Sequence, residues 1–291
     1  MKNLERPIPK DNEEGSFITV KDGTKIFVYE YVPKNEYKST IFIISGITGI
    51  NHKSDKDIIE KLSNNKNRVV VIHPRGTGYS EGKRGDISDF SDFIGDYVEI
   101  IKGDKSYQDS KGKRILYGHS MSCAVALVVA DKLQKIDGLI LINPPYKLKS
   151  AKGMSPSIGD YLKYISYYLF APHVPIVNMA GDPSIIENEN DRRESELRNN
   201  DPLLVKYFSM YYMFKSKKLM DNMGEYAKKA EYPLLLVYGM KDSIVDKKGC
   251  DEIFKYWKDS EKKYVLIENG PHGKETIIKA KEDIINWIDT H

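Results

Sequence analysis

The sequence predicts an α/β fold with a mostly parallel central sheet and helices on both of its faces. Three observations carry that expectation. Short β-branched apolar runs alternate with helix-period segments, the runs stop at Gly- and Pro-rich turns, and one long segment interrupts the alternation before it resumes. Parallel neighbours need crossover connections, and the intervening helices supply them.

The first element departs from that rule. "SFITVKDGTKIFVYEYVP" alternates apolar and polar residues on both sides of Asp22-Gly23, the pattern of an antiparallel hairpin. "STIFIISGITG" is a solid apolar run ended by glycines and reads as a buried strand. "DKDIIEKLSNN" reads as a short amphipathic helix, and "RVVVIHPRGTGYS" as a buried strand leaving through a Pro/Gly-rich loop. "FSDFIGDYVEIIKG" has a helical period, "KRILYG" is a strand, "SCAVALVVADKLQ" a helix, and "IDGLILINPP" a strand stopped by prolines. From about Tyr146 to Tyr232 the rhythm breaks and no strand is predicted. "YPLLLVYGMKD", "DEIFKYWKD", "KKYVLIENGPHG" and "KETIIKAKEDIINWID" then resume strand, helix, strand, helix. The expected organisation is one core, residues 1–145 and 233–291, with a helical cap at 146–232 inserted between two halves of one sheet.

Composition narrows the class. The chain has 291 residues, 40% hydrophobic and 30% charged, and 45 basic side chains face 42 acidic ones. Those values are ordinary for a globular protein, and so slight a positive excess asks for no nucleic acid. The start, MKNLERPIPKDNEEG, lacks the apolar core of a secretory leader, and no run reaches membrane-spanning length, so a cytoplasmic protein without an integral membrane segment is expected. Cys123 and Cys250 read as two free thiols, with a single disulfide as the alternative.

The chemistry gathers at "ILYGHSMSCAVAL", where a strand runs into G-H-S-M-S and then a helix. This nearly fits G-x-S-x-G, in which a sharp turn lifts a serine hydroxyl above the end of a sheet. Ser120 is the candidate nucleophile, and Ser122 stands where the motif has its last glycine. That position wants a small residue, so serine is expected there at a modest steric cost. Read alone, a serine at such a junction is more often a helix cap than a nucleophile.

With these residues in view, the chain resembles the α/β-hydrolase fold over essentially its whole length. "HPRGTGYSEGKRG" resembles the arginine-glycine loop of the monoacylglycerol lipase and lysophospholipase branch, grouped with the serine aminopeptidases of S33 type. Asp201-Pro202-Leu203 resembles a sequence of that family's caps. The resemblance implies partners in the order serine, acid, histidine, which the chemistry requires as a base for the hydroxyl and a carboxylate to orient the base. Asp242, three residues after Gly239 in "VYGMKDSIVD", and His272 in "LIENGPHGKE" stand in that order, each after a predicted strand. Asp246 stands before a helix and reads as its cap. His52, His73, His119, His173 and His291 lie elsewhere in the pattern. No H-E-x-x-H or cysteine-histidine spacing suggests a metal, and no cofactor is expected.

The oxyanion formed by serine attack needs two donors. One is the backbone N–H of Met121; the other, by the family's register in Ser45-Gly46-Ile47-Thr48-Gly49, is that of Ile47. Gly46 and Gly49 otherwise simply make a turn. "RGTGYSEGKRG" does not open a helix with G-K-S/T and so is no phosphate loop. It is expected to brace the elbow, with Arg75 either holding backbone carbonyls or solvated.

In the inserted segment, Tyr161, Tyr164 and Tyr168, and then Tyr207, Tyr211 and Phe214, fall at spacings that share one helix face. They read mainly as the core docking cap to sheet, and secondarily as the wall of an apolar pocket. "ENENDRRESELRNND" reads as a solvated helix face or loop. The expected activity is cofactor-free hydrolysis of carboxylic esters, monoacylglycerol-like or lysophospholipid-like, through an acyl-enzyme. The small-molecule acyl ester is the only partner expected, and the oligomeric state is open. The same triad serves a thioesterase, an amidase or a proline-type aminopeptidase, the last needing an acidic group such as Glu187, Glu189, Glu194 or Glu196 for the substrate amine. A binding protein that has lost catalysis is the remaining alternative.

Overall fold

The computed structural model describes residues 5–45, 52–53, 55–64, 66–109, 112–149, 158–180, 183–185 and 189–291. The strands are β1 Ser16–Thr19, β2 Lys25–Tyr31, β3 Ser39–Ile44, β4 Asn67–Ile72, β5 Lys113–His119, β6 Gly138–Ile142, β7 Pro175–Asn178, β8 Tyr207–Ser209, β9 Leu234–Gly239 and β10 Lys262–Ile267. The helices are α1 Lys56–Ser63, α2 Phe90–Gly103, α3 Lys105–Gln108, α4 Ser122–Leu133, α5 Ile158–Phe170, α6 Glu189–Asn200, α7 Met210–Asp221, α8 Met223–Ala227, α9 Lys247–Tyr256, α10 Lys274–Lys279 and α11 Lys281–Thr290.

Among the described residues, eight strands form one sheet in the order β1-β2-β4-β3-β5-β6-β9-β10. β1 pairs antiparallel with β2, and β2 with β4; every other neighbour is parallel. The hairpin turns as its sequence requires, with Gly23 at φ +88° and its N–H on the Val20 carbonyl at 2.8 Å. The inner strands β3, β4, β6 and β9 are buried along their whole length because both faces of the sheet are covered there, while edge strand β10 is partly exposed. Phe42 and Ile44 enter one core with Phe93, Val125 and Leu236, while Ile41 and Ile43 enter the other with Ile59, Val71 and Trp287. Such alternation is the period of a strand, and it divides the interior into two layers.

Three expectations need correction. The segment between β6 and β9 is not strand-free, since β7 and β8 pair there as a small antiparallel sheet. β8 takes Tyr207 out of the predicted helix, and Ser209 caps α7 by accepting the Tyr212 N–H at 3.0 Å. The docking face is therefore Phe208 and Tyr212, both buried, with Tyr212 against Phe90 and Phe93. Tyr168 and Phe214 pack on one another near the surface instead, at 39% and 50% exposure. The side chain of Tyr161 lies outside the described residues. The last predicted helix is two, α10 and α11, meeting at Ala280. Among the described residues, no helix is long and apolar enough to cross a membrane.

The loops after β3 and β4 are tied together by a chain of polar side chains. The Tyr79 N–H points at Nδ1 of His73 at 3.2 Å, so neutral His73 carries its proton on Nε2. Nε2 of His73 faces Nδ1 of His52 at 3.1 Å, which leaves the His52 proton on Nε2, 3.0 Å from Oε1 of Glu13. Each link fixes the next, and both imidazoles are neutral. Burial pushes the His73 pKa down to about 3, with the neighbouring His52 adding to it, and also lowers that of His52. Burial acts to raise the pKa of Glu13, but hydrogen bonds from Lys53, His52 and Tyr79 outweigh it and hold the carboxylate at about 2.

Candidate active site

β5 delivers the elbow. Gly118 admits the helix backbone, because a Cβ there would sit 2.9 Å from both Cys123 Cα and the Ser122 carbonyl oxygen. Ser120 takes φ +55°, a left-handed conformation rare outside glycine, and its N–H is held by the Ile142 carbonyl of β6 at 2.9 Å. The nucleophile candidate is thus fixed by sheet and helix together. Ser122 does not merely fit. Its Oγ accepts the His119 N–H at 2.9 Å and donates to the His119 carbonyl at 2.8 Å, pinning the turn to the start of α4. The sequence argument about size missed this second function of the side chain.

The three predicted residues converge at the carboxyl ends of β5, β9 and β10. Nδ1 of His272 lies 2.7 Å from Oδ2 of Asp242, and Nε2 lies 2.9 Å from Oγ of Ser120. The geometry fixes the tautomer: Nδ1–H donates to the carboxylate, and Nε2 accepts the serine hydroxyl. Asp242 is fully buried, and its other oxygen accepts the N–H groups of Ile244 at 2.7 Å and Val245 at 2.8 Å. These two amides fix its orientation independently of the histidine. Lys149 Nζ donates to the Asp242 carbonyl, adding a tie from the segment after β6. Met121 precedes α4, and its N–H belongs to the first amides that a helix leaves without intrahelical acceptors. Ile47 lies outside the described residues; the strand before it ends at Ile44, and the carbonyl of the next residue, Ser45, accepts the buried Tyr97 hydroxyl at 2.7 Å.

The other candidates fall into structural places. Asp246 caps α9 by accepting the Lys248 N–H at 2.9 Å. His173 contacts Asp86, and His291 stacks on Trp287. His119 sits with its ring 5.4 Å from that of His272. Arg75 is neither solvated nor on carbonyls: it grips Asp96 of α2 through two hydrogen bonds, at 2.6 and 2.7 Å, and reaches Asp22 at 3.0 Å. Arg84 has the carbonyl task, donating to Gly78 at 3.0 Å and to Pro202, Leu203 and Leu204 at 3.1 to 3.4 Å. Other hydrogen bonds of this loop also run away from the elbow: the Tyr79 hydroxyl donates to Glu13 at 2.8 Å, Lys83 Nζ to the His173 carbonyl at 2.9 Å, and the Gly85 carbonyl accepts the Ser209 N–H at 2.7 Å. Glu189 and Glu196 are exposed on α6, while Glu187 and the side chain of Glu194 lie outside the described residues. Cys123 and Cys250 are buried free thiols, and burial pushes both pKa values up.

A mostly parallel sheet of this order, with an elbow after β5 and the acid and histidine loops after β9 and β10, is the α/β-hydrolase fold. Within that fold the chain belongs to the family described as serine aminopeptidase, S33, whose profile matches residues 35–275. Human (Homo sapiens) monoglyceride lipase is 25% identical over 255 residues, covering 86% of this chain and 80% of the human protein. A soluble variant of monoglyceride lipase from Saccharomyces cerevisiae, solved with a substrate analog, superimposes with a TM-score of 0.80 at 18% identity, covering 100% of this chain and 99% of that one. The monoacylglycerol lipase of Paleococcus ferrophilus gives a TM-score of 0.72 at 21% identity over 91% and 99% of the two chains. The two solved structures share the fold; the sequence relative places the likeness along most of the chain.

Proposed function

We propose that this chain is a serine hydrolase that cleaves carboxylic esters of monoacylglycerol type through an acyl-enzyme. The observation that carries the reading is the unbroken hydrogen-bond chain from Ser120 through His272 to Asp242. Nε2 of His272 takes the Ser120 proton as Oγ attacks the ester carbonyl, and Asp242 orients the ring and stabilises its cation. The amides of Met121 and Ile47 hold the oxyanion, and loss of one such donor raises a barrier by about 3 to 4 kcal/mol. The intermediate collapses, His272 returns the proton to the departing alcohol, and a water activated by the same nitrogen releases the carboxylic acid.

The monoacylglycerol class is supported by monoglyceride lipases among the sequence relatives. In this reading residues 1–145 and 233–291 are the hydrolase core and 146–232 a cap that selects the acyl ester. Two free buried thiols support a reducing compartment, which fits the cytoplasm. The family description favours one second reading, an aminopeptidase, with Glu189 or Glu196 binding the substrate amine.

One experiment separates these. A serine-reactive fluorophosphonate is expected to label the wild type and not Ser120→Ala, and wild-type turnover is expected on p-nitrophenyl esters and monoacylglycerols. Persistent labelling of Ser120→Ala removes the nucleophile assignment. Cleavage of aminoacyl anilides alone replaces the esterase with the peptidase.

A further inference from the structure

Asn143 follows β6 directly, is fully buried, and holds φ +47°, a left-handed conformation that asparagine tolerates better than most side chains. Nothing about catalysis asks for an asparagine there, yet its side chain reaches two of the three loops that carry the proposed triad. Oδ1 accepts the Gly239 N–H at 2.8 Å, and Nδ2 donates to the Pro271 carbonyl at a longer 3.4 Å. Gly239 in turn accepts the Asp242 N–H at 2.9 Å, and Pro271 immediately precedes His272. The residue before Asn143 completes the set, since the Ile142 carbonyl holds the Ser120 N–H at 2.9 Å.

We infer that Asn143 is a positioning residue that sets the Ser120, Asp242 and His272 loops in register by bridging the Gly239 amide and the Pro271 carbonyl at the end of β6. The inference rests on the hydrolase reading above. The amide is suited to the task because one group must accept and the other must donate. An aspartate would set a carboxylate oxygen against the Pro271 carbonyl, and a leucine of similar size would do neither. The Pro271 carbonyl also accepts the hydroxyl of the buried Thr276, so two donors restrain the peptide before His272. The acid and histidine loops are joined independently by the Lys241 N–H on the Gly270 carbonyl at 2.9 Å. The loops therefore stay together without Asn143, and what the asparagine adds is their placement relative to Ser120.

The test uses the full chain as wild type, Asn143→Gly, Thr276→Val and Ser120→Ala. Glycine keeps the left-handed backbone without strain and removes the bridge together with the side chain's volume, so the readout is taken per functional site. Functional sites are counted by fluorophosphonate titration, and kcat is measured per titrated site on a p-nitrophenyl ester. Asn143→Gly is expected to lower kcat per titrated site by about tenfold or more with KM within about threefold, because misplacing reacting groups by an ångström can cost about a hundredfold. Thr276→Val is expected to shift kcat the same way by less. A lower titre with kcat per site within about twofold of wild type marks a merely structural residue and overturns the inference. Should Asn143→Gly not fold, Asn143→Asp takes its place, keeping the size and the acceptor for the Gly239 N–H but not the donor to Pro271, and an unchanged kcat per site in that variant overturns the inference. Absence of both labelling and turnover in the wild type refutes the hydrolase reading, a result distinct from any of these.

Discussion

Ser122 and His119 close the elbow on itself: one hydroxyl accepts the amide and donates to the carbonyl of the same residue, at 2.9 and 2.8 Å. A glycine at 122 would restore the common motif and delete both bonds. The side chain that looks like a defect in the pattern is a brace.

Ser122→Gly is therefore expected to destabilise the protein, by about 1 to 3 kcal/mol, from two lost hydrogen bonds and added backbone freedom at the start of α4. Urea unfolding monitored by fluorescence measures it. A variant as stable as the wild type, or more so, contradicts the brace.

The His52–His73 pair sets an acid limit on stability. The folded pKa of His73 is about 3 against 6.5 for an ordinary histidine, so as pH falls below about 6.5 the unfolded chain binds a proton that the folded chain refuses. Stability is complete above that pH and declines toward pH 3, by about 5 kcal/mol at the limit set by this one group. Glu13 acts in the same direction lower down, contributing above about 4.5 and losing its contribution as pH falls toward 2. His73→Gln, which keeps a donor toward His52 and cannot titrate, is expected to flatten the fall in melting temperature between pH 7 and pH 4, whatever its starting value. An unaltered slope would count against the neutral pair.

Arg84 fastens the chain after α6 to the loop after β4, and burial pulls its pKa down to about 10, with nearby Asp201 opposing. Arg84→Met is expected to cost about 2 to 4 kcal/mol by stripping a buried donor from carbonyls. Limited proteolysis should then cut near residues 201–204 sooner than in the wild type. Equal cleavage rates would show that the guanidinium does not hold that segment.

Much of the fold was legible because its signals are local. Alternation around Asp22-Gly23, solid apolar strands and helix-period segments each depend on a few consecutive residues. The candidate site was legible because each member stands next to a strand end: Ser120 after β5, Asp242 after β9, His272 in the turn after β10. β7 and β8 were not legible, being four and three residues long and held by pairing with one another. Nor was the docking face, for a shift of one residue at Ser209 moved it from Tyr207 and Tyr211 to Phe208 and Tyr212.

The alternation of elements, the order of serine, acid and histidine, and the family likeness are all written along the chain and can be read there residue by residue. Tertiary structure alone decided which polar side chains meet. It turned Ser122 from a tolerated substitution into a brace, gave the carbonyl-binding role to Arg84 rather than Arg75, paired His52 with His73, and set Asn143 between the acid and histidine loops. Those partners lie up to 128 residues apart in the chain. Hydrogen bonds over such separations depend on sheet order and on burial, which no local pattern encodes.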